Sequence, residues 1–179
     1  DRMRPEVKKF LEKVDIPVVT SMLAFDIIPS DNNNFYGFIG AYGKREANFV
    51  VAKSDLLIAI GSRLDVRQIG AKKENFAPRA RLIRIDVDKG ELSNKVKGDE
   101  IQIQADAGQI LHELNKRIDK IKIDNSWLQV CAQIRDALIG QDDRLLPNRL
   151  MEQISKVVPD GYIITTDVGQ NQVWTAQSF

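Results

Sequence analysis

Apolar residues along the first two thirds of the chain alternate between helical spacing and the spacing of strands. Residues 5–14 carry apolar side chains three, four and seven positions apart, which predicts an amphipathic helix with Pro5 in its first turn. Short β-branched or continuously apolar runs predict strands at residues 16–21, 55–61, 81–88 and 100–106, with further helices at 44–53 and 107–118. This alternation predicts an α/β domain with a mostly parallel sheet, because strands buried on both faces are almost wholly apolar.

The remaining segments predict loops, two more helices and one more strand. The stretch rich in glycine and asparagine at residues 32–43 predicts a loop, and residues 61–80 predict a long loop or a short helix. A charged connector at 118–124 precedes a helical stripe that contains Trp127 and Cys131. After a polar break at 140–147, a helix at 147–161 leads into a predicted strand at 162–169.

Composition and charge exclude several classes of protein. Lysine and arginine number 26 against 25 acidic residues, so the net charge of +1 provides no field for nucleic acid. A single cysteine excludes a disulfide framework and a cysteine-rich zinc site, such as a sirtuin-like deacylase requires. No apolar run approaches the roughly 20 residues of a membrane span, and the first residues lack the apolar core of a signal peptide. We therefore expect a cytoplasmic protein without membrane contact.

Polar residues that follow the predicted strands are the candidates for ligand binding, because parallel sheets bind ligands at the carboxyl ends of their strands. Gly61, Ser62, Arg63, Asp65 and Arg67 combine backbone donors with two guanidinium groups, which suits a phosphate or diphosphate. The alternative is an exposed loop in which Asp65 pairs with Arg67.

Acidic residues end the two following predicted strands. Asp86, Asp88 and Asp106 could hold a ribose hydroxyl, and each could equally cap a helix. The glycines at 37, 40 and 43 match a dinucleotide fingerprint only loosely. His112 and Cys131 lie on predicted helices, where packing is the simpler role, and we assign no catalytic residue and no metal ligand in this chain.

Several of these segments together resemble one enzyme family. Residues 16–29, 36–70, 81–92 and 101–106 are similar, in that order and spacing, to the central domain of the acetolactate synthase group of thiamine diphosphate enzymes. Residues 167–177 resemble the start of the diphosphate-binding domain in the same enzymes. We predict a central Rossmann-like domain at 1–120, a linker with a helix at 121–145, and a truncated start of the diphosphate-binding domain at 146–179.

The resemblance implies cofactor positions in both domains. FAD, in a structural rather than a redox role, would contact Gly40, Ala41, Gly61, Ser62, Arg63, Asp65, Arg67, Asp86, Val87 and Asp106. Thiamine diphosphate phosphates would contact Val168, Gly169, Gln170 and Asn171. Tyr42 stands where the family has histidine, and Val66 replaces the second acid of an Asp-Asp pair, so FAD binding is left open. Asn171 replaces a family histidine and cannot carry a positive charge.

The resemblance also implies the activity of the whole enzyme. Such an enzyme decarboxylates pyruvate and transfers the two-carbon unit to a second 2-oxo acid, with thiamine diphosphate and Mg²⁺ as cofactors, in a homodimer or homotetramer. The family's activating glutamate and its magnesium motif belong to segments outside the 179 residues. We therefore expect this chain by itself to be inactive and to retain no cofactor.

Alternatives remain within and outside the class. Another thiamine diphosphate carboligase or decarboxylase, a separate nucleotide-binding module, and a regulatory or scaffolding domain are each compatible with parts of the pattern. A structural expectation also follows from the family's sheet order, 3-2-1-4-5-6, because its central first strand would precede residue 1. We expect a break in the sheet at that place.

Overall fold

The computed structural model describes residues 4–119, 126–140 and 146–179. Most of the predicted connector and most of the polar break lie outside these residues. The helices are α1 (Arg4–Lys13), α2 (Arg45–Lys53), α3 (Val66–Ile69), α4 (Lys89–Ser93), α5 (Ala107–Arg117), α6 (Ser126–Gly140), α7 (Leu146–Val157) and α8 (Gln170–Ser178), with 3-10 helices at Met22–Ile27 and Lys73–Asn75. The strands are β1 (Val18–Thr20), β2 (Phe35–Phe38), β3 (Leu56–Ile60), β4 (Arg81–Asp86) and β5 (Ile101–Gln104).

The strands among the described residues form two separate parallel sheets flanked by helices. One sheet pairs β1 with β2, and the other has the order β3-β4-β5. Leu56–Ile60 align one for one with Arg81–Ile85, and Ile83–Asp86 align with Ile101–Gln104. The α/β class with parallel sheets is confirmed, and among the described residues the two sheets share no strand pairing. The division into domains stays a prediction.

Helix α2 connects the two sheets through the main hydrophobic core. Its inward residues, Ala47, Val50 and Val51, are buried in one cluster with Tyr36 of β2 and Ala59 of β3. Cys131 of α6 belongs to the same cluster and is fully buried. Burial raises the pKa of its thiol to about 11, because the charged thiolate is poorly solvated there. Packing is therefore the role that the structure gives to this cysteine.

A buried ion pair fixes the face of β4 that packs on this core. Arg84 donates to Glu100 Oε1 at 3.1 Å, and both side chains are almost completely buried. The same guanidinium donates to the carbonyls of Glu91 and Asn94, each at 3.1 Å, which ties α4 to the strand. Burial by itself raises the pKa of Glu100, but hydrogen bonds from the Lys97 amide, other donors and Arg84 outweigh it and hold the pKa below its usual range.

Two strand assignments differ from the sequence prediction, and the helices α4 and α8 were not predicted. Residues 35–38, predicted as part of a loop, form β2, because Tyr36 and Phe38 become buried against neighbouring elements despite the flanking glycines. Residues 162–169, predicted as a strand, form neither strand nor helix and are exposed. A strand completes its hydrogen bonds on a neighbouring strand, and the described residues provide none here.

Among the described residues, no helix combines the length and the apolar character that a bilayer crossing requires.

Candidate functional site

The loop after β2 and the segment after β3 meet at the carboxyl ends of the two sheets. The loop after β2 contains Gly40 and Ala41, and the segment after β3 contains Arg67. The Ala41 amide donates to the Arg67 carbonyl at 2.8 Å. Gly40 has φ +111°, and a Cβ atom at this position would lie 2.4 Å from the Arg67 carbonyl oxygen. Only glycine allows this close approach, so residue 40 determines how tightly the loops join.

These loops line a cavity of about 250 Å³. Three of the predicted nucleotide contacts, Gly40, Ala41 and Arg67, lie on its wall. Asn48 and Phe76 also line it, and the sequence reasoning identified neither of them. Asn48 holds the glycine loop from both sides, because its side chain accepts from the Gly40 amide at 2.9 Å and donates to the Gly40 carbonyl at 3.0 Å. Asn48 is a polar residue next to the buried apolar residues of α2, and this position could have marked it as a candidate in the sequence.

Asp65 is a helix cap rather than the partner of the Arg67 side chain. Its carboxylate accepts from the backbone amides of Arg67 at 2.7 Å and Gln68 at 3.3 Å, which begins α3. Ser62 donates to Gln68 Oε1 at 3.0 Å and braces the same turn. The exposed Arg63 forms an ion pair with the partly buried Glu91 at 3.1 Å. Asp65 therefore contacts the backbone amide of Arg67 and not its guanidinium group.

The other predicted nucleotide contacts lie along the carboxyl ends of β3, β4 and β5. Gly61 follows β3, Asp86 and Val87 stand at the end of β4, and Asp106 follows β5. The Asp86 carboxylate accepts from the Asp88 amide at 2.9 Å, and Asp106 caps α5 by accepting from the Gln109 amide at 3.0 Å. These residues are neighbours along one edge, but they do not line the cavity. The capping alternative is confirmed for Asp106 and Asp88.

The second predicted site, Val168 to Asn171, forms the amino end of α8. Gly169 is the residue before the helix, and Val168 is largely exposed. Backbone amides at the start of a helix favour anions, since they have no partner inside the helix. At the other end of α8, the Gln177 side chain donates to the Tyr42 carbonyl in the glycine loop at 2.8 Å. The two candidate sites thus lie toward opposite ends of one helix and do not share a cavity.

Shifted pKa values lie away from both candidate sites. The Asn115 amide donates to the Glu6 carboxylate at 2.8 Å and lowers its pKa, which links α1 to α5. The ion pair with Lys116 lowers the pKa of Glu113 on the surface of α5. Within the described ranges, no three histidine, cysteine or acidic side chains converge as metal ligands would. The geometry therefore offers surfaces for binding phosphate groups and assigns no general base to either site.

Comparisons with known proteins point to one family. The family described as "Thiamine pyrophosphate enzyme, central domain" matches residues 1–114. The chain is 34% identical over 177 residues to "Acetolactate synthase isozyme 1 large subunit" of Escherichia coli (strain K12), covering 97% of this chain and 31% of that protein. It is 34% identical over 181 residues to "Acetolactate synthase large subunit" of Corynebacterium glutamicum, covering 96% of this chain and 29% of that protein. The chain thus spans about 30% of the length of these relatives.

Proposed function

Because this chain belongs to the thiamine pyrophosphate enzyme family through its central domain, we propose that it is part of an acetolactate synthase-like enzyme. Such an enzyme decarboxylates pyruvate, or another 2-oxo acid, and transfers the two-carbon unit to a second 2-oxo acid. The observation that carries the proposal is the similarity to acetolactate synthase large subunits over 97% of the chain. That similarity extends beyond the central domain, through α6 to α8. We also propose a cytoplasmic homodimer or homotetramer.

The cavity and the adjoining strand ends are the proposed nucleotide site, with FAD as the ligand. A cavity of about 250 Å³ is below the roughly 300–1,000 Å³ of sites for drug-sized ligands, so it would hold one part of FAD. The remainder would follow the edge past Gly61 toward Asp86. Arg67 would face the diphosphate, and Gly40 keeps its loop close to the Arg67 segment that lines the same cavity. Asp65 and Asp106 would act through the helices that they cap.

The start of α8 is the proposed diphosphate-binding turn for thiamine diphosphate. When bound, this cofactor supplies stabilisation of the carbanion that decarboxylation generates. The residues from Val168 to Asn171 would hold its phosphates by backbone amides at the helix start and by the Asn171 side-chain amide. Mg²⁺ would accompany the diphosphate in the whole enzyme, and we assign it no ligand among the described residues.

Titration calorimetry with ADP at millimolar concentration tests the nucleotide site on this chain. ADP is a smaller probe than FAD and carries the same diphosphate. We expect weak binding that Arg67→Ala reduces about tenfold or more, since a charge-assisted hydrogen bond contributes about 1.5–3 kcal/mol. Arg81→Ala is the matched control, because Arg81 is exposed at the opposite end of the sheet. Equal loss in both variants, or no binding by the unmodified chain, would contradict this site and favour a scaffolding domain.

The activity of the whole enzyme needs a separate test. The protein that carries this sequence would be isolated from its source and assayed with pyruvate, thiamine diphosphate and Mg²⁺. Acetolactate formation supports the proposal, whereas release of acetaldehyde without acetolactate favours the alternative decarboxylase. The 179-residue chain should form no acetolactate in the same assay, and measurable product would contradict its expected inactivity.

A further inference from the structure

The last turn of helix α8 contacts the glycine loop, which comprises residues 39–44 between β2 and α2. The Gln177 side-chain amide donates to the Tyr42 carbonyl at 2.8 Å, although the two residues are 135 positions apart in the chain. Within the described residues, no other hydrogen-bond donor reaches this carbonyl. The contact therefore joins the loop beside the proposed nucleotide site to the helix that begins at the proposed diphosphate-binding turn.

Asn148 of α7 fixes the orientation of the Gln177 amide. The Asn148 side chain donates to Gln177 Oε1 at 3.0 Å and to the Ser178 hydroxyl at 2.8 Å. The Tyr42 carbonyl can only accept a hydrogen bond, so a reversed Gln177 amide would lose this contact. Gln177 must therefore present its NH₂ group to the glycine loop.

Helix α8 is held on α7 by contacts that do not involve the loop. Thr175 is buried, and its hydroxyl oxygen lies 3.5 Å from Met151 Sδ on α7. The hydrogen bond between Asn148 and Ser178 joins the same two helices. Because the Gln177 donor is already held in place by α7, it loses little side-chain entropy when it binds the loop.

The glycine loop connects the Tyr42 carbonyl to the wall of the cavity. The Gly43 amide donates to the Gly40 carbonyl at 3.0 Å, which closes a turn with Ala41 and Tyr42 at its centre. The Ala41 amide donates to the Arg67 carbonyl at 2.8 Å. Gly40, Ala41 and Arg67 line the cavity. A displacement of Tyr42 would therefore move the turn that forms this part of the wall.

We propose that Gln177 is a positioning residue for the nucleotide site and couples that site to α8. The proposal rests on the nucleotide site proposed above. The Gln177 amide holds the turn at Tyr42, so that Gly40 and Ala41 keep their places on the cavity wall. Gln170 begins the helix and Gln177 lies in its last turn. Because coupling between two sites is reciprocal, a nucleotide that orders the loop also orders α8.

Hydrogen exchange of the 179-residue chain without ligand tests the contact itself. Gln177→Met keeps the length of the side chain and removes the donor. Ser178→Ala is the matched control, because it loses a hydrogen bond from Asn148 that joins α8 to α7 and not to the loop. We expect Gln177→Met to speed exchange of the Ala41 and Gly43 amides about two- to tenfold, the range for one neutral hydrogen bond. Ser178→Ala should leave these rates unchanged.

ADP titration of the same three proteins tests the effect on the nucleotide site. We expect Gln177→Met to weaken ADP binding about two- to tenfold, while Ser178→Ala retains the affinity of the unmodified chain. An unchanged exchange rate of the Gly61 amide, which donates to the Ile85 carbonyl at 2.8 Å, shows that each variant is folded.

Exchange in the presence of saturating ADP tests the coupling. ADP should slow exchange of the amides in the second half of α8 in the unmodified chain and in Ser178→Ala. The slowing should be absent in Gln177→Met, because the loop then has lost its hydrogen bond to the helix. A residue that only stabilised the packing of α8 would not link ADP to these amides.

Three results would overturn the proposal. One is unchanged exchange of the loop amides in Gln177→Met. Another is an equal acceleration in Ser178→Ala, which would assign the effect to the packing of α7 and α8 alone. The third is ADP binding with equal affinity in the unmodified chain and Gln177→Met. Failure of the unmodified chain to bind ADP is a different result, because it contradicts the nucleotide site itself.

Discussion

Replacing Gly40 by alanine should damage the nucleotide cavity more than the same change at Gly70 or Gly98. A Cβ atom at residue 40 would lie 2.4 Å from the Arg67 carbonyl oxygen and 3.0 Å from the Gln68 Cα, and the residue has φ +111°. The left-handed backbone costs alanine about 1–2 kcal/mol. Relief of the contact requires the loops to separate, which breaks the hydrogen bond from Ala41 to Arg67 and costs about 1 kcal/mol more. We expect a total loss of about 2–3 kcal/mol.

Substitutions at two other glycines separate the cost of the left-handed backbone from the cost of the close contact. Gly70 has φ +81° but has nothing within 4 Å of its Cβ position, so Gly70→Ala should lose only the conformational part, about 1–2 kcal/mol. Gly98 has open space and no left-handed backbone. Gly98→Ala should therefore stay within about 1 kcal/mol of the parent, on the stabilising side, because alanine reduces the entropy of the unfolded chain.

Urea unfolding of the three variants, followed by the fluorescence of Trp127 and Trp174, measures these differences. Trp127 packs against the core cluster, so its emission reports the loss of that core. ADP titration of the folded variants then shows whether Gly40→Ala also loses binding while Gly70→Ala retains it. Equal losses of stability in Gly40→Ala and Gly70→Ala would refute the reasoning, because they would mean that the loops do not meet at this contact.

Three further predictions concern buried or capping groups. Arg84→Met should lose about 3–5 kcal/mol of unfolding free energy in urea near neutral pH, because it leaves the Glu100 carboxylate buried without its cation. Adding Glu100→Gln should recover part of this loss. No recovery would show that the shape of the Arg84 side chain matters rather than its charge. The Cys131 thiol has a folded pKa of about 11 against 9.0, so it contributes about 3 kcal/mol that is present below pH 9 and is lost as the pH rises toward 11. Cys131→Ala should lack this part of the alkaline destabilisation, and an unchanged pH profile would contradict the assignment. Asp106→Ala should lose about 1 kcal/mol by thermal unfolding while Asp106→Asn keeps the cap, and equal loss in both would argue against capping.

The α/β class and most helices follow from local patterns in the sequence. Apolar spacing of three and four predicts α2 and α5, and continuous apolar runs predict β3 and β4, because these patterns reflect which faces a helix or strand must bury. For Asp106, which precedes a helix, the sequence allowed either a ribose contact or a helix cap, and the structure has the cap. The family resemblance added the expected break in the sheet, which periodicity alone does not predict.

Contacts between distant segments were decided only by the tertiary structure. The reciprocal hydrogen bonds of Asn48 with Gly40, and the meeting of Ala41 with Arg67, depend on how α2 crosses between two sheets. Strand formation depends on partners in the same way. Phe35–Phe38 form a strand because β1 lies beside them, whereas the more strongly β-branched residues 162–166 have no neighbouring strand among the described residues and are irregular. A helix completes its hydrogen bonds within its own sequence, but a strand needs another segment, so local pattern alone could not decide whether residues 35–38 and 162–166 form strands.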